Sequence, residues 1–224
     1  VGNVHEYIVC YSKQPLLSVA APLSEDEIKK YKMKDDKFEV RGGFITQPLA
    51  TRSKDDRPNL VYPVYHNGVE IYPDKQWIWE KSRLYQAIEN DEVVFSESSG
   101  KWSVRFKQYL KDEKGVMRLG KPISILTGPY NQDGTKEIET IFGKKVFNNP
   151  KPKELINYLL SFVFDGKDDK DGIYLDSFSG SGTTAHAVLD LNKDGGNRKF
   201  ILIEMGDYAD SITAERVKRV IRGY

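Results

Sequence analysis

The chain has 224 residues, 39% of them hydrophobic and 30% charged, which fits one to two folded domains and excludes wholesale disorder. Its 34 basic and 33 acidic side chains leave a net charge of +1, so overall charge argues neither for nor against a nucleic-acid partner. The one cysteine, Cys10, excludes an internal disulfide and a thiolate cage; histidines 5, 66 and 186 are scattered, so no metal centre is expected and the setting reads as reduced and cytoplasmic.

The chain starts with Val1 rather than Met, which predicts that part of a longer protein precedes it. Val1-Gly2-Asn3-Val4-His5 lacks the basic and apolar regions of a signal peptide. No apolar run approaches the roughly 20 residues of a membrane helix.

Residues 5–11, His-Glu-Tyr-Ile-Val-Cys-Tyr, are short, apolar and β-branched, and predict a buried strand within a segment 1–14. Residues 15–146 read as a mixed, strand-rich region. Ser24 is placed to cap a turn opening on Glu25-Asp26-Glu27. Residues 51–59 predict a loop. Asn67-Gly68, between Leu60–Tyr65 and Val69–Tyr72, is a two-residue hairpin signal. A short helix is expected within Trp77–Glu89, then a second hairpin from Val93 to Leu110 turning at Ser98-Ser99-Gly100. Trp77, Trp79 and Trp102 are expected in core or hairpin packing. Gly128-Pro129 predicts a turn.

From residue 147 the pattern changes. Pro152 opens an amphipathic helix with Leu155, Ile156, Leu159, Leu160 and Val163 on one face. A strand at Ile173–Leu175, a helix at Thr183–Leu191, a strand at Phe200–Glu204 and a helix at Ile212–Ile221 alternate, which predicts a parallel sheet. The fold class expected is therefore α/β, with residues 147–224 as its cofactor-binding part.

The chemical signal lies at Asp176-Ser177-Phe178-Ser179-Gly180-Ser181-Gly182-Thr183-Thr184, between a strand and a helix. Glycines there allow a tight turn, and a helix start offers amides to an anionic or polar ligand. Glu204 ends the following strand, where a carboxylate can accept from a ribose diol. A nucleoside-containing ligand is expected. Gly180-x-Gly182-x-x-Ala185 also fits the dinucleotide fingerprint, which implies NAD, but only about fifty residues follow Ile173, too few for a complete doubly wound sheet. The acidic run 165–172 fails as a calcium loop, since Lys167 takes the first ligand position and no glutamate takes the twelfth.

Local charge is more informative than the total. Between Lys101 and Lys121 seven basic residues face two acidic ones. Strand alternation puts Trp102, Val104 and Phe106 on one side and Arg105, Lys107, Tyr109 and Lys111 on the other, a candidate face for phosphate and base contact. The basic residues of the last helix, Arg216, Lys218, Arg219 and Arg222, read as complements to its dipole. His186 reads as a hydrogen-bonded structural residue.

These residues carry a resemblance. Asp176-x-Phe178-x-Gly180-x-Gly182-Thr183-Thr184-Ala185 resembles the S-adenosylmethionine loop of amino-directed DNA methyltransferases, and Asn149-Pro150-Lys151-Pro152-Lys153-Glu154-Leu155 resembles the Lys-Pro-x-x-Leu element of their permuted β group. His5–Lys13, Arg57–Pro63, Trp77–Trp79 and 185–221 are similar to the modification subunits of type III restriction systems. The resemblance implies a partial Rossmann-like methyltransferase sheet with an inserted target-recognition module at 15–146, the strand at 1–14 belonging to the sheet. It implies S-adenosylmethionine as cofactor, with Asp176, Phe178, Gly180, Gly182, Thr183 and Thr184 lining it, Glu204 on the ribose, Lys151 and Pro152 closing the methionine end and Met205 beside the adenine. It implies adenine in double-stranded DNA as substrate, with Arg57, Asn59, Arg105, Lys107, Tyr109 and Lys111 as contacts. A homodimer and a helicase/nuclease restriction subunit are the implied partners, in a bacterial cytoplasm. The family's catalytic Asp-Pro-Pro-Tyr is absent from this sequence. The nearest string, Gly128-Pro129-Tyr130-Asn131, has glycine where an acceptor belongs, so the chain is expected to be an inactive C-terminal portion. A recognition module without cofactor is the alternative.

Overall fold

The computed structural model describes residues 5–52, 55–167 and 169–224. They fall into two compact units, one of residues up to Pro22 with Leu119–Tyr224, the other Leu23–Arg118. The residues assigned from sequence to loop 51–59 and to the acidic run include 53, 54 and 168, which lie outside the described residues, as do residues 1–4.

The first strand, β1 (Val19–Pro22), belongs to the first unit. The strand expected at 5–11 does not form. Residues 5–14 make no ladder, and Tyr7, Val9 and Tyr11 are exposed. A strand needs a partner for its N–H and C=O groups, and among the described residues none lies beside this segment.

The second unit is built from short antiparallel pairs. Ser24 caps α1 (Glu25–Ile28) in a reciprocal box with Glu27, and α2 (Phe38–Arg41) follows. Strands β2 (Phe44–Pro48), β3 (Ala50–Thr51), β4 (Val64–His66), β5 (Val69–Ile71) and β6 (Gln76–Trp77) lead to helix α3 (Lys81–Glu89). Strands β7 (Val93–Ser98) and β8 (Lys101–Tyr109) complete a sheet in the order β2-β8-β7. Both expected hairpins are present. Asn67 and Gly68 turn β4 into β5 with φ of 50° and 77°, and Ser99 and Gly100 turn β7 into β8 with 51° and 74°. Positive φ at both turn positions matches the twist of the paired strands. Leu49, Val64, Trp77, Leu84 and Val104 form the core of this unit, with Trp79 and Trp102 packed against it. The Trp77 indole donates to the Tyr62 carbonyl at 2.8 Å.

In the first unit β1 pairs antiparallel with β9 (Leu119–Gly120) and β10 (Val163–Phe164). Helix α4 (Asn131–Phe142) was not expected from sequence. Helix α5 (Lys153–Leu160) starts after Pro152, as its periodicity predicts. Strand β11 (Ile173–Asp176), helix α6 (Thr183–Leu191) and strand β12 (Lys199–Leu202) follow. The two strands pair parallel, Ile173 opposite Lys199 through Asp176 opposite Leu202. A π-helical turn, Ala209–Ala214, runs into α7 (Glu215–Arg222). Among the described residues no helix is long and apolar enough to cross a membrane.

Candidate functional site

The parallel register places the carboxyl ends of β11 and β12 side by side, so Asp176 and Glu204 leave the sheet at neighbouring points. Backbone bonds fix the exits: Ile203 N–H donates to Asp176 O at 2.9 Å, and Ser179 N–H to Ile203 O at 3.1 Å. The chain then turns through Gly180 (φ 50°) and Gly182 (φ 79°) into α6. At Gly182 the left-handed φ favours glycine, and space is tight: a Cβ there would stand 3.1 Å from the Thr213 carbonyl oxygen.

Both carboxylates brace this turn. Asp176 accepts from the Phe178 amide at 3.1 Å and from the Thr184 hydroxyl at 2.5 Å. Glu204 accepts from the Gly180 amide at 2.7 Å and from the Met205 and Gly206 amides, both at 2.9 Å. These donors, Gly206 and Gly180 foremost, hold its pKa below the usual carboxylate range. Phe178 and Met205 flank the two carboxylates and are almost fully exposed.

The structure therefore gathers Asp176, Phe178, Gly180, Gly182, Thr183, Thr184 and Glu204. Lys151 and Pro152 join them through the backbone: the Thr183 hydroxyl donates to the Lys151 carbonyl at 3.1 Å, and Pro152 is buried at the start of α5. The Lys151 ammonium is paired with Glu6, whose carboxyl is held low first by that bond and then by Asn131. Beside the turn, an open groove of about 430 Å³ runs between β12 and α7, lined by Phe200, Leu202, Thr213, Ala214 and Val217 and ending at Glu204.

Beneath the turn lies a cluster that the sequence reading missed. Arg216 is fully buried rather than solvated at a helix end. Its guanidinium bonds Ser181, Thr183 and Glu137, and His186 lies beside it. Burial, then the Arg216 charge, pushes the His186 pKa down to about 3, so its imidazole is neutral. Burial likewise raises the Glu137 carboxyl, with Arg216 opposing. Helical phase could have flagged Arg216, which lies one turn from Val220 and Arg219; nothing in the sequence singled out Glu137. His186 is the hydrogen-bonded structural residue expected.

The residues expected as a nucleic-acid face on β8 engage protein partners in this structure. Trp102, Val104 and Phe106 do pack on the core. The opposite face, however, is covered. Tyr109 is buried, its hydroxyl donating to Asp35 at 2.6 Å with the Arg41 guanidinium over its ring. Lys107 is paired with Asp35 and Asp91, and Arg105 donates to Thr46 at 2.9 Å. Asp35 and Arg41, from the segment before β2, lie against the side that alternation assigns to solvent. Lys111 is half-buried against Met117. Only Arg57 and Asn59, around the 3₁₀ turn Pro58–Leu60, stand exposed.

Known proteins resemble this chain over nearly all its length. It is 32% identical to the type II methyltransferase M.KpnI of Klebsiella pneumoniae, over 91% of this chain and 51% of that protein. It is 30% identical to the StyLTI Mod subunit, a type III restriction-modification protein of Salmonella typhimurium, over 96% of this chain and 34% of that one. It is 31% identical to the EcoPI Mod subunit of Escherichia phage P1, over 91% and 35%. The chain thus spans between about a third and a half of the length of these relatives. A putative DNA modification methylase from Thermus thermophilus, solved with S-adenosyl-L-methionine, matches at 16% identity over 83% of this chain and 72% of that one, with a TM-score of 0.25, too low to compare the folds. The profile of the DNA methylase family matches residues 1–215, and the chain belongs to that family.

Proposed function

We propose that this chain is the cofactor-binding and target-recognition portion of a site-specific adenine-N6 DNA methyltransferase, of the kind that forms the modification subunit of a type III restriction system. S-adenosylmethionine would lie across the carboxyl ends of β11 and β12. The observation that carries this reading is the convergence of Asp176 and Glu204 at adjoining parallel strand ends, with Glu204 held on the Gly180 amide. Open α/β sheets bind ligands at this end.

The residues fit such a cofactor by their chemistry. Glu204 offers a charged acceptor for vicinal ribose hydroxyls. Asp176, Phe178 and the Gly180–Thr184 turn would flank the methionine side, and the Lys151–Pro152 element would close it. Met205 would cover the adenine. When bound, the cofactor supplies an electrophilic methyl group. This chain's residues would orient it and shield it from water, while the groups that hold the target amino nitrogen would come from the Asp-Pro-Pro-Tyr portion that this sequence lacks. The chain alone is thus proposed to bind but not to transfer.

The strand-rich unit 23–118 is proposed as the recognition module for double-stranded DNA, with contacts among Arg57, Asn59, Arg105, Lys107, Tyr109 and Lys111, of which Arg57 and Asn59 are exposed. A restriction-subunit partner belongs to the same reading and is supported by the relatives' names as Mod subunits of type III restriction-modification enzymes; a homodimer and a bacterial cytoplasmic setting are proposed with it.

Calorimetric titration of the chain with S-adenosylmethionine, and in parallel with NAD, tests the reading. Saturable binding of the former is expected, weakened at least about tenfold by Glu204→Ala, the scale of a lost charged hydrogen bond. Binding of NAD instead would overturn it. Silence from both would leave a recognition module without cofactor.

A further inference from the structure

We infer that Arg216 is a positioning residue for the cofactor turn: a fully buried guanidinium that sets the hydroxyls of Ser181 and Thr183 and locks them to α4. The inference rests on the reading of that turn as a cofactor site.

Arg216 Nη1 donates to Ser181 Oγ at 3.0 Å and to Thr183 Oγ1 at 2.9 Å. Those hydroxyls are 3.2 Å apart, and Thr183 donates onward to the Lys151 carbonyl at 3.1 Å. Proton directions are then determined. Both oxygens accept from the guanidinium, Thr183 gives its proton to Lys151, and Ser181 gives its proton to Thr183. The other arm, Nη2, donates to Glu137 Oε2 at 2.9 Å and lies 3.2 Å from His186 Nδ1. Glu137 also accepts from the Lys153 amide at 3.2 Å. One side chain of α7 thereby joins the turn, the first residue of α6, the Lys151–Pro152 element, the start of α5 and α4.

Helix packing alone does not call for this. An apolar side chain would fill the volume without a buried charge, which is costly, and the cost is retained here although Nε of Arg216 has no partner among the described residues. What a guanidinium adds is a rigid planar fork that reaches two hydroxyls on one arm and a carboxylate on the other. The segment so held contains Gly180 and Gly182 at positive φ, residues with the widest conformational freedom. A turn fixed before ligand arrives avoids the ordering cost on binding. Lysine in the same place keeps the charge and loses the fork.

The test compares wild type, Arg216→Lys, Ser181→Ala and the double variant. Hydrogen exchange of amides 179–184 is followed beside that of the α6 interior, and S-adenosylmethionine is titrated into each. For Arg216→Lys the expected result is at least tenfold faster exchange confined to the turn and at least tenfold weaker binding. Ser181→Ala should cost at least threefold in affinity alone and nothing further in the Arg216→Lys background, since the two changes remove one linkage. Unchanged turn exchange and affinity in a folded Arg216→Lys, or strictly additive losses, would overturn the inference. If Arg216→Lys fails to fold, Ser181→Ala decides: faster exchange in the turn supports positioning, and unaltered exchange overturns it. If wild type binds no S-adenosylmethionine, the cofactor reading falls, while turn exchange still reports whether Arg216 positions the turn.

Discussion

Lys107 carries its ammonium 2.8 Å from Asp35 and 2.7 Å from Asp91, with 8% of its side chain exposed. Burial opposes the charge, but the two carboxylates outweigh it and hold the lysine pKa above its ordinary value. Asp35 is the shared acceptor, bonded also by Tyr109, so removing the lysine strands a partly buried carboxylate. Lys107→Met is expected to destabilise the 23–118 unit by about 1–3 kcal/mol in chemical denaturation. It should leave the salt dependence of DNA binding unaltered. Unchanged stability with a salt slope lowered by about one would instead restore Lys107 as a phosphate contact. The same logic separates Arg57 from Arg105: the first has an exposed side chain, the second spends its guanidinium on Thr46.

Helix α4 shows how packing overrides local preference. Its sequence opens Asn131-Gln132-Asp133-Gly134, and a glycine inside a helix is normally unfavourable. Asp133 caps the start by accepting from the Tyr130 amide at 2.9 Å. Gly134 is where the helix meets the Pro150–Pro152 segment: a Cβ there would stand 2.2 Å from the Pro150 carbonyl oxygen and 2.9 Å from Pro152 N. No side chain can move aside, because the obstructing atoms are backbone. That close approach seats Ile138 and Ile141 in the core and brings Glu137 to Arg216. Gly134→Ala should therefore cost at least about 1–3 kcal/mol despite alanine's better helix propensity. A thermal melt of the variant measures this, and a gain in stability would refute the contact.

Strands β11 and β12 present an apolar face to solvent. Ile173, Leu175, Ile201 and Ile203 project alternately on that side, each about half exposed or more, while Tyr174, Phe200 and Leu202 face inward. Under the proposed function, further sequence of the kind that the longer relatives possess would cover this face. Leu175 and Ile201 stand opposite each other across the ladder. Replacing them together, Leu175→Lys with Ile201→Glu, should change the stability of the present chain in chemical denaturation by no more than about 0.5 kcal/mol per site. In a chain extended to the length of its relatives the same pair should be strongly destabilising, because two charges would enter an apolar interface. An equally small effect in both would show that the face stays bare.

Alternation of strand and helix after residue 147, the Asn67-Gly68 and Ser99-Gly100 hairpins, the Ser24 cap and the glycine turn after β11 were all determined by the sequence itself. Each rests on local physics: turn dihedrals, capping and periodicity act over a few residues. The membership of Asp176, Gly180, Gly182 and Glu204 in one cluster was legible in the same way, since a strand–turn–helix–strand order brings two strand ends together. Tertiary structure decided the rest. Residues 5–11 have a strand's composition, but pairing needs a neighbour that composition cannot supply. Alternation along β8 gives sides but not what lies against them, and Asp35 and Arg41 lie against this one. Arg216 reads as a surface cation until three helices and the turn close around it, because its burial depends on Glu137, 79 residues away. Long-range charge pairing leaves no periodic trace, and that is why these residues became visible only in the folded chain.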